Sequence, residues 1–393
     1  MVVPVDRQYV IRALQDLVRI NSINPALEAG GPGEAEIAGY VAQALEAAGL
    51  HVTTHEPAPE RVSVVGRLDG QAVRRSGGQA DGRTLMLNAH MDTVGVAGMA
   101  EPFSGAIRDG KLFGRGAYDM KGSLAAMLGA AKALADAKAP FNGSLLIAGV
   151  ADEENASMGT ADLIPRYDVD AAIVTEPTHL DVCLAHKGFA WIEVTTEGRA
   201  AHGSRPDLGV DANLAMGKVL SRLSDLEREL GARKPHPLVG PPSLHAGVLH
   251  GGTAPSVYAA SATLIIERRL IPGETEPQIV QEIAALIDEL ARGDPRFRAT
   301  HRVTLAREPF EVSREAEIVR SVARAVEAEL GAPARYGGQT PWMDSALLAA
   351  AGVETVVIGP TGAGAHAAEE WVDVESVVQL AGVLVRATLE YCR

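Results

Sequence analysis

Two histidines and three carboxylates of the kind that bind metal ions lie at wide intervals along this chain. They are His90, Asp119, Glu154, Glu176 and His366. Neutral imidazole combined with hard carboxylate oxygens is typical of sites for zinc or a similar divalent ion. Five such ligands are too many for one tetrahedral zinc ion, but they suffice for two ions about 3.5–4 Å apart if one carboxylate bridges them. The sequence therefore predicts a dinuclear metal centre.

The position of each candidate in the chain indicates how the ligands are shared. Asp119 is the natural bridge, because its loop lies centrally and its neighbours supply no competing ligand. One ion would then be bound by His90 and Glu176. The other would be bound by Glu154 and His366.

Two further carboxylates adjoin these ligands. Glu153 precedes Glu154 and is free to act as a general base towards a water molecule whose pKa a metal lowers to about 7. Asp92 follows His90 by two residues, and the period of two along a strand predicts that both face the same side. We expect Asp92 to accept the proton of the second imidazole nitrogen and to orient the ring. Taken singly, these residues are more typical of solvated surface groups, and the prediction depends on their joint occurrence.

The elements that must position these residues alternate between strands and helices. Apolar runs at 85–89, 143–150 and 171–175 predict buried strands, and each is followed directly by candidate site residues. Helical periodicity is found at 6–19, 34–48, 123–137, 314–330 and 374–391. This alternation predicts an α/β fold with a mixed sheet flanked by helices. Open α/β sheets bind ligands beyond the carboxyl ends of their strands, which is where the candidates lie.

The pattern changes near Gly188. From there to residue 306 the predicted order is β-α-β-β-α-β, which is the ferredoxin-like arrangement. We therefore predict a catalytic domain formed by residues 1–187 and 307–393, with an α+β domain at 188–306 inserted between its two parts. A polar, Gly-rich surface loop is predicted at 69–81.

Composition limits the partners and the compartment. The chain has 393 residues, 47% hydrophobic, with 36 basic and 50 acidic side chains and a net charge of −14. An acidic protein is a poor partner for nucleic acid or an anionic membrane surface. The sequence has neither a stretch of about 20 apolar residues nor a signal peptide at its start. Its two cysteines provide no disulfide framework, and a cytoplasmic location is expected.

Six segments together resemble the family of dinuclear metallohydrolases that includes aminoacylase, acetylornithine deacetylase, succinyl-diaminopimelate desuccinylase and carboxypeptidase G. The segments lie in order along nearly the whole chain: His90-Met91-Asp92, Gly114-Arg115-Gly116 with Asp119-Met120-Lys121-Gly122, Asp152-Glu153-Glu154, Thr175-Glu176-Pro177-Thr178, Ala201-His202-Gly203-Ser204, and Ala365-His366 followed by Glu370. The resemblance implies the ligand set given above, with Asp119 bridging and Glu153 as the base. It also implies a cis peptide bond after Asp119. The inserted domain lies where the family has its lid and dimerisation domain, which implies a homodimer.

The resemblance also implies residues that contact the substrate. His202 matches a lid histidine that stabilises the oxyanion, often from the partner subunit of the dimer. Arg269 matches the arginine that binds the substrate carboxylate, whereas its neighbour Arg268 is expected to be paired at the solvent-exposed face. Gly362 begins a turn that either presents backbone N–H groups to the same carboxylate or serves to place the histidine that follows.

One departure from the family pattern affects the substrate side of the site. Ser256 stands where family members commonly have asparagine. Asn213, on the predicted lid helix, is a candidate substitute for its hydrogen bond.

These observations favour a metal-dependent hydrolase that cleaves an amide bond next to a free carboxylate. An N-acyl-L-amino acid deacylase of the acetylornithine deacetylase type is expected first, with zinc, cobalt or manganese as the metal. A carboxypeptidase or dipeptidase acting on short peptides is the alternative. A metal-free binding module is a more remote reading. A nucleotide-binding protein is remote too, because the glycine pairs lack the phosphate-loop lysine.

Overall fold

The computed structural model describes residues 3–70, 82–96 and 98–393, so most of the predicted loop at 69–81 lies outside the described residues. The chain divides into two compact units. The first comprises Met1–Leu184, Val312–Gly337 and Met343–Arg393, and the second comprises Ala185–Glu311 and Gly338–Trp342. Within the described ranges, none of the helices has the length and apolar character that crossing a bilayer requires.

The helices and strands are as follows. The helices are α1 (Arg7–Arg19), α2 (Ala35–Ala47), α3 (Gly122–Asp136), α4 (Met158–Leu163), α5 (Ala212–Ala232), α6 (Glu276–Gly293), α7 (Glu317–Leu330), α8 (Ser345–Ala350) and α9 (Val374–Tyr391). The strands are β1 (His51–Ala58), β2 (Arg61–Asp69), β3 (Arg83–His90), β4 (Ala106–Arg108), β5 (Lys111–Phe113), β6 (Gly143–Val150), β7 (Ala171–Val174), β8 (Val182–His186), β9 (Gly188–Glu197), β10 (Ser243–Gly251), β11 (Ser261–Leu270), β12 (Ala299–Arg307), β13 (Phe310–Glu311), β14 (Tyr336–Gln339), β15 (Glu354–Val357), β16 (Gly362–Ala363) and β17 (Trp371–Asp373).

The first unit is built on a mixed sheet with the strand order β1-β2-β6-β3-β7-β15-β8. Its centre is parallel, because β3 pairs in parallel with both β6 and β7, and β7 pairs in parallel with β15. Strands β6 and β7 are buried along their whole length, as expected for a sheet covered on both faces. Helix α3 is buried nearly all round and packs against α1, α9 and the sheet. The predicted α/β class, a mixed sheet flanked by helices, is confirmed. A small second sheet of the unit has the order β16-β17-β5-β4.

The second unit is an antiparallel sheet with the order β10-β11-β9-β12. Numbered along the unit, these strands run 2-3-1-4, which is the ferredoxin-like arrangement expected from the β-α-β-β-α-β pattern. Alternate residues of β9 and β11 are buried, and they form one core with the apolar faces of α5 and α6.

Arg268 corrects one sequence-based expectation about this unit. Its side chain is 1% exposed rather than paired at a solvent-exposed face. Its guanidinium binds Glu274 through two nitrogens, at 2.7 and 3.2 Å, and Glu282 through Nε at 3.3 Å. Arg268 occupies the helix-covered face of β11, and its charge is tolerated there because two carboxylates reach it.

Removal of this buried guanidinium should cost more stability than removal of an exposed one. We expect Arg268→Ala to lower the free energy of unfolding by about 3 kcal/mol, because two carboxylates lose their buried partner. The matched control is Arg302→Ala, since Arg302 binds Glu193 through two nitrogens in the same sheet but is 66% exposed. Its loss should cost about 1 kcal/mol or less. Urea unfolding followed by circular dichroism measures both, and equal losses would contradict the expectation.

Candidate metal centre

Adjacent parallel strands bring three of the sequence-predicted ligands to one edge of the central sheet. His90 is the last residue of β3. Glu154 lies in the turn after β6, and Glu176 lies two residues after β7. Because β3 pairs with both β6 and β7 in parallel, the three residues leave the sheet side by side. The ends of these three strands therefore bring together three of the five candidate ligands.

The fourth candidate ligand, Asp119, lies in a loop that a buried carboxylate holds in place. It lies in the irregular turn Ala117–Lys121 between β5 and α3, and the Asp119–Met120 peptide bond is cis, as predicted. Glu370 accepts backbone N–H bonds from Gly116, Tyr118 and Asp119 at 3.0, 2.9 and 3.0 Å. Arg115 Nη1 donates to the same carboxylate at 2.6 Å and balances its charge. These bonds fix the backbone from which the Asp119 side chain projects.

Glycine is required at the start of this turn. Gly116 has a φ of +77°, in the left-handed region that side chains disfavour. A Cβ there would also lie 2.7 Å from the methyl carbon of Thr93. A side chain at position 116 would therefore shift the loop that carries Asp119.

The fifth ligand, His366, follows β16 and adopts a left-handed φ of +61°. Its Nε2 lies 3.0 Å from Glu154 Oε2 and 3.4 Å from Asp119 Oδ2. Its side chain is 53% exposed, whereas that of His90 is 1% exposed. The centre is therefore closed at His90 and open to solvent at His366.

The five residues form two groups that share Asp119. The first group is His90, Asp119 and Glu176, and the second is Asp119, Glu154 and His366, with the ligand atoms of each within 4.8 Å of one another. His90 Nε2 lies 3.1 Å from Asp119 Oδ1 and 3.6 Å from Glu176 Oε1. The two oxygens of Asp119 thus face different histidines. This is the geometry that a bridging carboxylate needs.

Burial and mutual repulsion perturb the titration of the acidic groups. Burial raises the pKa of Glu176 well above its usual value, and burial and the Asp119 charge raise that of Glu154. Burial would also raise the pKa of Asp119, but hydrogen bonds from His366 and His90 lower it below its usual value.

The histidines respond in the opposite sense. The hydrogen bond to Asp119 raises the pKa of His366 to about 10. Burial opposes protonation of His90, yet its hydrogen bond with Asp119 and the nearby Glu176 raise its pKa well above the usual value. A proton on either ring would offset part of the buried negative charge. Divalent cations would replace those protons, and the donor set fits two such ions.

Glu153 lies beside the two groups and belongs to neither. Burial and the charge of Glu176 raise its carboxyl pKa well above the ordinary value. A carboxyl group with a raised pKa beside a metal site is suited to accept and return a proton near neutral pH.

Asp92 has a different contact from the one predicted. Strand β3 ends at His90, so the period of two does not extend to residue 92. His90 Nδ1 makes its 2.9 Å hydrogen bond with the backbone oxygen of Asp92, and the Asp92 carboxylate is 3.7 Å away. That carboxylate accepts the backbone N–H groups of Glu153 and Glu154 at 3.1 and 3.2 Å. Asp92 orients the imidazole through its main chain and the glutamates through its side chain.

Gly362 does not begin the tight turn that the sequence predicts. It lies instead in β16, where it pairs with Val372 and is buried against the ring of Tyr118. The turn begins two residues later, at Gly364, with a φ of +85°. A contact between the Gly362 backbone and substrate stays a prediction.

The remaining predicted residues belong to the second unit. His202 is exposed, and its Nδ1 accepts the backbone N–H of Ser204 at 3.2 Å. Arg269 Nε binds Glu267 at 2.8 Å, and its guanidinium lies 5.5 Å from the centre of the Phe189 ring. The Asn213 side chain lies beside the backbone of Gly251 at the end of β10. Their contacts with substrate stay predictions.

Sequence reasoning missed several buried polar residues around the centre. Glu370 belongs to one of the motifs, but the motif does not reveal its role as acceptor for the Asp119 loop. Asn24 looks in the sequence like a helix breaker, yet its side chain contacts both Asp92 and Asp152. Asp344 is buried, binds Thr160 at 2.5 Å, and has a pKa raised by burial to about 6. Spacing along the chain contains no signal for these long-range contacts.

Comparison with known proteins shows the family to which the chain belongs. Residues 86–390 match the family model described as Peptidase family M20/M25/M40. Acetylornithine deacetylase of Myxococcus xanthus is 33% identical, over 90% of this chain and 91% of the relative. N-formyl-4-amino-5-aminomethyl-2-methylpyrimidine deformylase of Bacillus subtilis is 27% identical, over 91% of this chain and 88% of the relative.

The fold is shared with solved structures as well. The crystal structure of aminopeptidase PepT from Bacillus cereus superposes with a TM-score of 0.79 at 19% identity, covering 99% of this chain and 100% of that one. At that identity the likeness shows the fold alone, whereas the family match covers most of the sequence. The chain is a hydrolytic enzyme and belongs to Peptidase family M20/M25/M40.

Proposed function

We propose that this protein is an N-acyl-L-amino acid deacylase of the acetylornithine deacetylase type, which hydrolyses an amide bond next to a free carboxylate. The observation that carries the proposal is the pair of three-residue ligand groups that share Asp119, with Glu153 beside them. The 33% identity to an acetylornithine deacetylase supports the deacylase reading. We propose two divalent ions, zinc first and cobalt or manganese as alternatives, because imidazole and carboxylate ligands suit all three.

The reaction follows from the positions of the side chains. His90 with Glu176, and Glu154 with His366, would each hold one ion, with Asp119 between them. When bound, the ions supply Lewis-acid activation of water and of the scissile carbonyl. Glu153 takes a proton from the attacking water as the new C–O bond forms. It then returns that proton to the amide nitrogen as the C–N bond breaks, which yields a carboxylic acid and a free amine.

We propose that His202 donates a hydrogen bond to the oxyanion. A backbone N–H can only donate, so the bond from Ser204 makes Nδ1 of His202 an acceptor. With Nδ1 accepting, Nε2 is the nitrogen that carries an N–H, and this N–H is a suitable donor to developing negative charge. Arg269 would bind the substrate carboxylate, because a guanidinium suits bidentate recognition of that group. Asn213 and the Gly362 backbone are proposed as further substrate contacts.

We propose that the second unit is a lid and that it forms a homodimer with a second copy of the chain. Strand β10 is the outer strand of its sheet and is exposed along nearly its whole length. Apolar side chains are exposed on it and on the adjoining helix α5, with Leu249 at 52% and Leu214 at 71%. An exposed, apolar edge strand is suited to pairing with a second chain. The chain has two cysteines, and both are buried, which supports a reducing cytoplasmic setting.

A peptidase of the carboxypeptidase or dipeptidase type is the second candidate. The family includes peptidases, and both reactions need the same groups around an amide bond. A metal-free binding module is disfavoured, because the five ligands converge and Glu153 lies beside them.

A substrate panel distinguishes the candidates. The protein loaded with zinc, cobalt or manganese should release amine from N-acetyl amino acids, including N-acetylornithine, faster than from dipeptides. An N-formylated amine without a carboxylate tests the need for that group, and Arg269→Ala should raise KM for the carboxylate substrates alone. Faster cleavage of dipeptides would favour the peptidase. Lack of hydrolysis with fewer than one bound ion per chain would favour a binding module.

Substitution of Glu153 and substitution of Glu154 should have different effects on turnover and on metal binding. We expect Glu153→Gln to lower kcat by about 10³-fold or more while both ions stay bound, because the proton acceptor is lost and the ligands remain. Glu154→Gln, a change of the same kind one residue later, should reduce the number of bound ions. Metal analysis together with initial rates measures both effects. Metal loss in the Glu153 variant, with retention in the Glu154 variant, would mean that the two roles are exchanged.

Complementation between two inactive variants tests whether His202 acts in the partner's site. We expect His202→Ala and Glu153→Gln to be inactive separately. After co-expression, random pairing should restore about a quarter of the wild-type activity, because half of the dimers then contain one intact site. Activity that stays at background would place His202 in the site of its own chain. Sedimentation velocity of the wild type and of Leu249→Glu provides the control, since a charge at that position should leave the variant monomeric.

A further inference from the structure

Asn24 bridges two buried carboxylates next to the turn that carries Glu153 and Glu154. One is Asp92, which accepts the backbone N–H groups of this turn, and the other is Asp152, which directly precedes it. Asn24 Nδ2 donates to Asp92 Oδ2 at 2.8 Å and to Asp152 Oδ1 at 3.0 Å. The orientation of the amide is fixed, because its Oδ1 accepts the backbone N–H of Ala26 at 3.0 Å. All three polar side chains of this bridge are fully buried. One neutral amide therefore joins two carboxylates that would otherwise repel each other.

The first of these carboxylates, Asp92, holds the backbone of Glu153 and Glu154 in place. Asp92 accepts the N–H of Glu153 on Oδ1 and that of Glu154 on Oδ2, and its backbone oxygen accepts from His90. Rotation of the Asp92 carboxylate would therefore move the proposed base and one proposed ligand together. The Asn24 side chain donates to Oδ2 of this carboxylate, the oxygen that also accepts the N–H of Glu154.

The second carboxylate precedes the pair. Asp152 has a left-handed φ of +69°, and its N–H donates to Glu34 Oε1 at 3.2 Å. Its Oδ1 also receives Arg61 Nη2 at 2.9 Å, whereas its Oδ2 has no hydrogen-bond partner among the described residues. The charge of Asp152 is therefore stabilised through the oxygen that Asn24 contacts.

The amide is suited to this place by its chemistry. A carboxylate at position 24 would add a third buried negative charge and remove both donors. An apolar residue would remove one donor from a buried oxygen of each acid, which is costly where no water replaces it. A side chain with a single hydroxyl would reach one acid and not the other.

We propose that Asn24 is a positioning residue for the reaction, which holds Glu153 and Glu154 in register with His90 by bridging Asp92 and Asp152. The assignment of a base to Glu153 rests on the proposed function, whereas the bridge itself rests on the hydrogen bonds. Removal of Asn24 should therefore misplace the base without removing a metal ligand or a substrate contact.

The variants Asn24→Ala and Asn24→Asp test this role in the metal-loaded enzyme. Both should lower kcat by about 100-fold, because small displacements of a catalytic group have effects of that size. The KM should change by less than about twofold, since a group that acts after binding affects kcat alone. Asn21→Ala is the matched control. Asn21 lies in the same segment and its side chain accepts the backbone N–H of Ile23 rather than contacting either acid, so its loss should leave kcat unchanged.

A second measurement is independent of turnover. Hydrogen–deuterium exchange should speed up by about tenfold or more at the amides of Glu153 and Glu154 in the Asn24 variants, and not in Asn21→Ala. Bound metal should stay at the wild-type number. If Asn24→Ala does not fold, Asn24→Ser, which keeps one donor, replaces it with a smaller expected loss.

These measurements distinguish failure of the positioning role of Asn24 from failure of the proposed function. Unchanged kcat and unchanged exchange in the Asn24 variants would overturn the positioning role, as would equal losses in the Asn21 control. An unaltered protein that hydrolyses no amide substrate would overturn the proposed function. In that case faster exchange at the two glutamate amides would still support the bridge, and unchanged exchange would overturn it.

Discussion

Negative charge gathered in a buried space is the constraint on which the rest of this structure depends. Asp119, Glu154 and Glu176 converge with Glu153 at the edge of a sheet whose strands are themselves buried. Anions removed from water are costly unless positive charge compensates them. The facing carboxylates raise the pKa values of His90 and His366, and bound cations would compensate the negative charge more completely. A site of this kind is therefore built to take up metal.

The loops that carry these acidic residues are held by further buried carboxylates, which accept the N–H groups of their backbone. Glu370 accepts three N–H groups around Asp119, and Asp92 accepts those of the two glutamates. Each of these acids has its own buried donor, Arg115 for Glu370 and Asn24 for Asp92. The side chains of the candidate site thus project from backbone segments that the carboxylates of Glu370 and Asp92 hold in place. These carboxylates orient ligands more firmly than loops alone would.

The sequence predicted what depends on local pattern and missed what depends on long-range contacts. The runs that form β3, β6 and β7 are continuous and apolar, so both the strands and the edge at which ligands meet were predictable. Strands β16 and β17 have two and three residues, too few for a periodic signal. The burial of Arg268 depends on carboxylates from a later loop and helix. The hydrogen bond between His90 and the backbone oxygen of Asp92 depends on β3 ending at His90. The sequence does not mark that end to the nearest residue.

The adjacent glutamates Glu153 and Glu154 have different proposed roles because their environments differ. Asp92 binds the N–H of Glu153 with one oxygen and that of Glu154 with the other, which fixes two successive peptides against one group. From that fixed turn, the Glu154 carboxylate reaches His366, while burial and the charge of Glu176 raise the pKa of the Glu153 carboxyl. Enzymes can use two carboxyl groups in different roles when their environments separate their pKa values. One group then stays an anion, and the other carries a proton. The proposed division between ligand and base therefore depends on how Asp92 orients this turn, because the two side chains are chemically identical.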